Sequence, residues 1–172
     1  MLTELKDRFD RLERQRIALL AELDTVPAER LATPPAPGCW SAIDVVEHLV
    51  IAEEGALARM ERPIRPLTLT ERCRTTLMYP VVMAVMASRI RVKAPLPSLN
   101  PAGGTDLPAL ARRWGEARCR MAGVLDAVPA ERARARVFKH PIAGFFTYAQ
   151  GLSFLAAHVE HHRGQIGRAV GG

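Results

Sequence analysis

Near its C-terminal end the chain reads "FLAAHVEHHRGQIGR", which places three of its five histidines within five positions. Imidazole is the side chain that titrates near neutrality and the commonest protein ligand for transition metals. Histidines four apart on a helix are rotated by only about 40 degrees and stand one above the other. His158 and His162 therefore share a face and are candidates for a common ion. His161 lies to one side of that pair and is the neighbour least suited to coordinate, although it is a candidate for proton transfer. The zincin pattern HExxH is absent, because Glu160 follows His158 by two positions and points elsewhere. The pair then needs another ligand.

The helix that carries the pair is marked out by "GFFTYAQGLSF", with Thr147 as N-cap and Gln150 three positions on in a capping box. Its apolar stripe, through Gly151, Phe154, Leu155 and Ala169, includes both histidines, so they face the interior. Gln165 lies one turn beyond His162 as a candidate supporting residue. Gly151, two turns before His158, is a candidate for leaving room beside the site, or for close helix packing. A second helix begins at "WSAIDVVEHL", with Ser41 as N-cap, Asp44 at N3, and Trp40 and Val45 as a hydrophobic staple; it extends to about Met60. His48 lies on its apolar side. If these two helices are neighbours, His48, His158 and His162 can assemble a three-imidazole centre. A hydrogen-bonded core histidine at 48, and cations favoured at a helix C-terminus for 158 and 162, would account for the same residues without metal.

Two further helices are expected. Residues 2–24 place Leu2, Leu5, Phe9, Leu12, Ile17, Leu19, Leu20 and Leu23 at helical spacing, and a third long helix starts near "TDLPAL", capped by Thr105 or Asp106, and ends at "DAVPAER". "LDTVPAERL" at 23–31 reappears as "LDAVPAERA" at 125–133, each closing a long helix and leading to a Ser or Thr cap, so the chain reads as two helical hairpins. The first of these stretches, "TVPAERLATPPAPGC", holds four prolines and a glycine and is read as a connection. Between helices two and three, residues 64–100 hold "LMYPVVMAVMA", too short and too close to Arg89 and Arg91 for a membrane span and read as a buried or partner-facing helix; "KAPLPSLNPAGG" follows as a loop. The architecture expected is an all-α four-helix bundle with one extra helical segment, formed by residues 1–172 as a single domain.

Composition fits this expectation. The chain has 48% hydrophobic but only 5% aromatic residues, and a net charge of +6 with a pI near 9.9. Its arginines run from Arg8 to Arg168 interleaved with glutamates, with no aromatic ladder, so a solvated basic surface is expected and nucleic-acid binding is not. Cys39, Cys73 and Cys119 are scattered, odd in number and without CxxC spacing, which argues for free thiols. The charged, amphipathic N-terminus is unlike a secretory signal, and a cytoplasmic location is expected.

"GCWSAIDVVEHL" and "KHPIAGFFTYAQGLSFLAAHVEHHRGQIGR" together resemble the two signatures of the DinB/YfiT-like superfamily, in order and at compatible spacing. The resemblance implies a bundle of up-down-down-up order, often a homodimer, with one divalent transition metal held by three histidines, which map onto His48, His158 and His162. Zinc and nickel are the ions first expected. An acidic residue common four positions after the first histidine is Ala52 here. Relatives include S-transferases and isomerases that use low-molecular-weight thiols, and metal-dependent hydrolases. A thiol-dependent S-transferase acting on a small molecule is the preferred expectation; a metal-dependent hydrolase, or a non-catalytic, stress-related binding module, is the alternative.

Overall fold

The computed structural model describes residues 1–62, 67–88 and 96–171. Arg89, Arg91 and the Lys93 that opens the expected loop lie outside these residues. Six helices are present among them: α1 (Thr3–Asp24), α2 (Ala28–Ala32), α3 (Ala42–Met60), α4 (Leu69–Ala87), α5 (Leu107–Asp126) and α6 (Tyr148–Gly171), with a hairpin of β1 (Arg136–His140) and β2 (Gly144–Thr147) before α6.

Four of the helices form the bundle, and their side-chain pairs give its directions. Arg8, Gln15 and Glu22 of α1 meet Ser153, Glu160 and Arg163 of α6 in the same order, so these helices run parallel. Glu54 of α3 and Glu61, which caps its C-terminal end, likewise meet Arg113 and Arg120 of α5 in order. By contrast, the N-terminal amine lies 3.0 Å from Asp126 at the far end of α5, and while His48 near the start of α3 meets His158 midway along α6, Met60 at the end of α3 lies against Gly151 near the start of α6. The order is up-down-down-up. Leu5, Leu12, Leu19 and Leu23 of α1 are buried on the seven- and four-residue spacing of a bundle seam, whereas Ile17 faces solvent.

Local sequence sets the helix ends. The Ser41 hydroxyl accepts from Asp44 N–H while the Asp44 carboxylate accepts from Ser41 N–H at 2.9 Å. Thr147 and Gln150 repeat that exchange at the start of α6, Asp106 caps α5, and Thr68 with Glu71 caps α4. The two "VPAER" stretches each turn tightly: Arg30 N–H and Arg132 N–H donate to the carbonyls of Pro27 and Pro129, both at 2.9 Å. Within the first connection that turn grows into the short α2, because a proline fixes φ at the helix entrance and lacks only a hydrogen that would be unpaired there.

α4 lies over α6 and β2, and Thr75 fastens the hairpin to it. The Thr75 hydroxyl accepts from Phe145 N–H at 2.9 Å and donates to the Glu71 carbonyl. Gly144 has φ +88°, and a Cβ there would stand 2.8 Å from Thr75 Oγ1, so both conformation and space demand glycine. Arg74 adds two bonds from its guanidinium to the Ile142 carbonyl.

One buried ion pair crosses the bundle. Arg118 of α5 meets both oxygens of Glu53 of α3 at 2.6 Å, and the two side chains are 3% and 1% exposed. Glu13 of α1 lies 3.5 Å from the same guanidinium. Removing one partner strands the other charge in a dry interior. Arg118→Met should therefore cost about 3–5 kcal/mol in urea unfolding, and adding Glu53→Leu should recover most of that loss; equal losses in the single and double variants would contradict this account.

Candidate metal centre

His48 stands on the buried face of α3, and His158 and His162 stand one turn apart on the buried face of α6. Their Nε2 atoms converge: His158 Nε2 is 3.3 Å from that of His48 and 3.1 Å from that of His162, and one donor atom from each of the three falls within 4.8 Å of the others. Nitrogens bound tetrahedrally at roughly 2.0–2.1 Å from one ion are about 3.3–3.4 Å apart, so the spacing suits a shared cation.

The outer nitrogens set the tautomers. His48 Nδ1–H donates to the Leu99 carbonyl at 2.7 Å, and His162 Nδ1–H donates to Gln165 Oε1 at 2.9 Å. Each neutral ring then presents an Nε2 lone pair to the centre. A single Nε2–H on His158 could satisfy only one of these, whereas a cation satisfies all three. This is the outer support that metal-bound imidazoles usually have. Leu99 reaches His48 from a short turn after α4, and the loop beyond it is tied down where Gly103 N–H donates to the buried Glu47 carboxylate at 3.0 Å.

Burial keeps these rings neutral. It lowers the pKa of His48 against the opposing pull of the Leu99 bond, and it lowers that of His162 to about 4, with the neighbouring His48 adding to the effect. His158 is pushed well below the ordinary value by burial and then by His162 and His48. Neutral imidazole is the form that binds metal.

A cavity of about 440 Å³ opens beside the centre, between α3, α4 and the hairpin. Its walls are largely apolar, including Trp40, Val82, Met86, Phe138 and Phe154. The Trp40 ring lies 5.1 Å from that of His48, and Phe154 stacks on His158. Ala52 contributes a methyl group to this wall, while the next residue, Glu53, turns away to Arg118. Among the described residues that line the cavity there is no carboxylate.

The remaining residues singled out by sequence fall around this arrangement. Gln165 meets His162. His161 also lines the cavity, half-buried, with Nδ1 3.2 Å from the Met86 carbonyl. Gly151 faces elsewhere: a Cβ there would lie 3.4 Å from the Phe138 Cβ and 3.6 Å from Met60, so its small size serves the close approach of α6 to β1 and α3. Sequence reasoning missed His140, which is buried and lines the cavity from β1. The only available signal was the pairing of "VFKH" with "GFFT" across a proline and a glycine, which marks a hairpin.

The model of the DinB superfamily matches residues 11–166. The chain belongs to the DinB superfamily. A solved structure similar to it is YfiT from Bacillus subtilis, described as a probable metal-dependent hydrolase with an unusual four-helix bundle topology. The two chains are 17% identical with a TM-score of 0.61, over 99% of this chain and 90% of that one. The likeness is one of fold. No curated protein matches the chain. No helix among the described residues is long and apolar enough to cross a membrane.

The lowered pKa values make stability depend on pH with a definite sign. An unfolded histidine takes up a proton near pH 6.5, whereas His140 and His162 in the fold do so near 4. Between these values the unfolded chain binds more protons, so folding weakens as pH falls. Metal-stripped protein should lose Tm steadily from pH 6.5 to 4 in calorimetry; an unchanged Tm over that window would contradict the burial of neutral imidazoles.

Proposed function

We propose that this DinB protein is a divalent-metal-dependent enzyme in which His48, His158 and His162 hold one zinc or nickel ion, and that it transfers a low-molecular-weight thiol to an apolar small molecule. The observation that carries the reading is the convergence of three Nε2 atoms on the wall of an apolar cavity. Three protein ligands beside open space are the pattern of a reactive centre, while a structural site closes with four. The bound ion supplies Lewis acidity that brings a thiol or water toward ionisation near neutral pH.

The chain's own residues supply the rest. Leu99 and Gln165 fix two of the imidazoles from behind. The apolar walls exclude water from the reacting groups. His161, with its Nδ1 proton directed to Met86, offers Nε2 as an acceptor for a proton leaving the nucleophile. A free thiol ionises near pH 8.5 and bulk water near 15.7, so a thiol needs far less help from a general base. A cavity whose described lining lacks a carboxylate suits the thiol better. Hydrolysis is the second reading, favoured by the fold shared with YfiT. In either case we place the enzyme in the cytoplasm as one domain. A homodimer is supported by the exposed Leu77 and Val81 one turn apart on α4.

Elemental analysis of protein purified without a metal-affinity tag should find about one zinc or nickel per chain, lost in His48→Ala. A colorimetric assay of thiol consumption against a panel of low-molecular-weight thiols and electrophiles should then show turnover that also disappears in His48→Ala. Hydrolytic turnover without any thiol would replace the first reading by the second. Absence of metal from the unmodified protein would overturn both and leave a non-catalytic binding module.

A further inference from the structure

His140 is the buried histidine of the cavity that the metal centre does not use. It ends β1, pairs with Gly144 of β2, and is 7% exposed. Its Nδ1 accepts two hydrogen bonds across the hairpin turn, from Ile142 N–H at 3.2 Å and from Ala143 N–H at 3.0 Å. A nitrogen that accepts from two backbone donors cannot itself carry the proton, so the neutral ring must be protonated at Nε2. The tautomer is thus opposite to that of His48 and His162, whose protons sit on Nδ1. Both of the hydrogen bonds His140 makes among the described residues are at Nδ1.

This leaves a fixed Nε2–H donor in a residue that lines the cavity. The ring is held in place by stacking on Phe146 at 5.3 Å and by the edge of Phe154 at 4.9 Å; Phe154 in turn stacks on His158. A neutral donor between aromatic rings suits an uncharged oxygen, because burying a carboxylate there would forfeit its hydration for one neutral bond. The two cations of the lining, Arg59 and Lys139, are exposed, whereas His140 is buried.

We propose that the hairpin presents His140 Nε2–H as a subsite for a neutral carbonyl-type oxygen on an otherwise apolar substrate. The inference rests on the proposed function in taking this cavity as the substrate site, but it does not require the metal. His140 is here a specificity-determining residue that holds one oxygen of the substrate away from the metal centre.

Three isosteric probes separate the terms: 4-phenyl-2-butanone, n-butylbenzene, which lacks the oxygen, and 3-phenylpropionate, which is charged. Affinities are measured by titration on the full chain, before and after chelation, for the unmodified protein and for His140→Asn. Asparagine can still accept from the turn N–H groups but is too short to present a donor at the position of Nε2. The ketone should bind about fivefold to tenfold more weakly to His140→Asn, and n-butylbenzene equally to both proteins. The phenylpropionate should bind less tightly than the ketone to the unmodified protein. In nitrogen-15 spectra of the unmodified protein, the His140 Nε2–H proton should move downfield on adding the ketone and stay in place with the hydrocarbon. That reading stands even if the variant fails to fold. Equal weakening of ketone and hydrocarbon, an unmoved proton, or tightest binding of the carboxylate would overturn the proposal. An effect of the substitution that vanishes on chelation would place the oxygen on the ion and overturn it as well. A protein without metal would defeat the proposed enzyme while leaving the comparison of the three probes, the effect of His140→Asn and the Nε2–H shift readable.

Discussion

Three imidazoles are buried side by side, with two lone pairs directed at a common point, and the surrounding structure is organised so that they can be. Desolvation keeps them uncharged, and the outer nitrogens of His48 and His162 are committed to Leu99 and Gln165. Without a shared cation, both lone pairs face His158 Nε2, at 3.3 and 3.1 Å, and the single proton it can carry satisfies only one of them. The elements that fix the rings are correspondingly specific. A capping box sets where α3 begins, and Glu47 holds the loop whose preceding turn supplies the Leu99 carbonyl.

The topology explains why α6 can carry this arrangement. It is flanked by α1 on one side, α3 on another and α4 with the hairpin on the rest, so that most of its circumference is covered. A helix in that position can afford apolar and imidazole side chains on more than one face. The hairpin contributes differently. Locked to α4 through Thr75, Arg74 and Gly144, it brings a histidine of the opposite tautomer to the cavity and separates it from His158 by one aromatic ring. Donor and acceptor nitrogens are thus sorted by which backbone groups reach each ring.

Helical periodicity alone made α1 legible in the sequence, and periodicity together with capping chemistry did so for α3, α5 and α6, because both signals are local. The facing of His48, His158 and His162 could be read for the same reason: i,i+4 spacing and an apolar stripe fix a direction without knowledge of the neighbours. What was not legible depended on contacts distant in sequence. Leu99 is 51 residues from His48, and Thr75 is 70 from Phe145. The strands of five and four residues gave too short an alternation to stand out beside the strong cap that follows them. His140 was hidden with them. His161 was placed at the edge of the helical stripe, yet α4 lies over that edge and brings it to the cavity wall.

The central claim is that the space between the three Nε2 atoms is built for an ion. Anomalous diffraction from crystals of the protein, recorded at and below the absorption edges of zinc and nickel, tests it directly. The account predicts one strong peak about 2.0–2.2 Å from Nε2 of each of His48, His158 and His162, with a coordination position open to the cavity. The absence of a peak in metal-supplemented crystals, or a peak held by other residues, would contradict it.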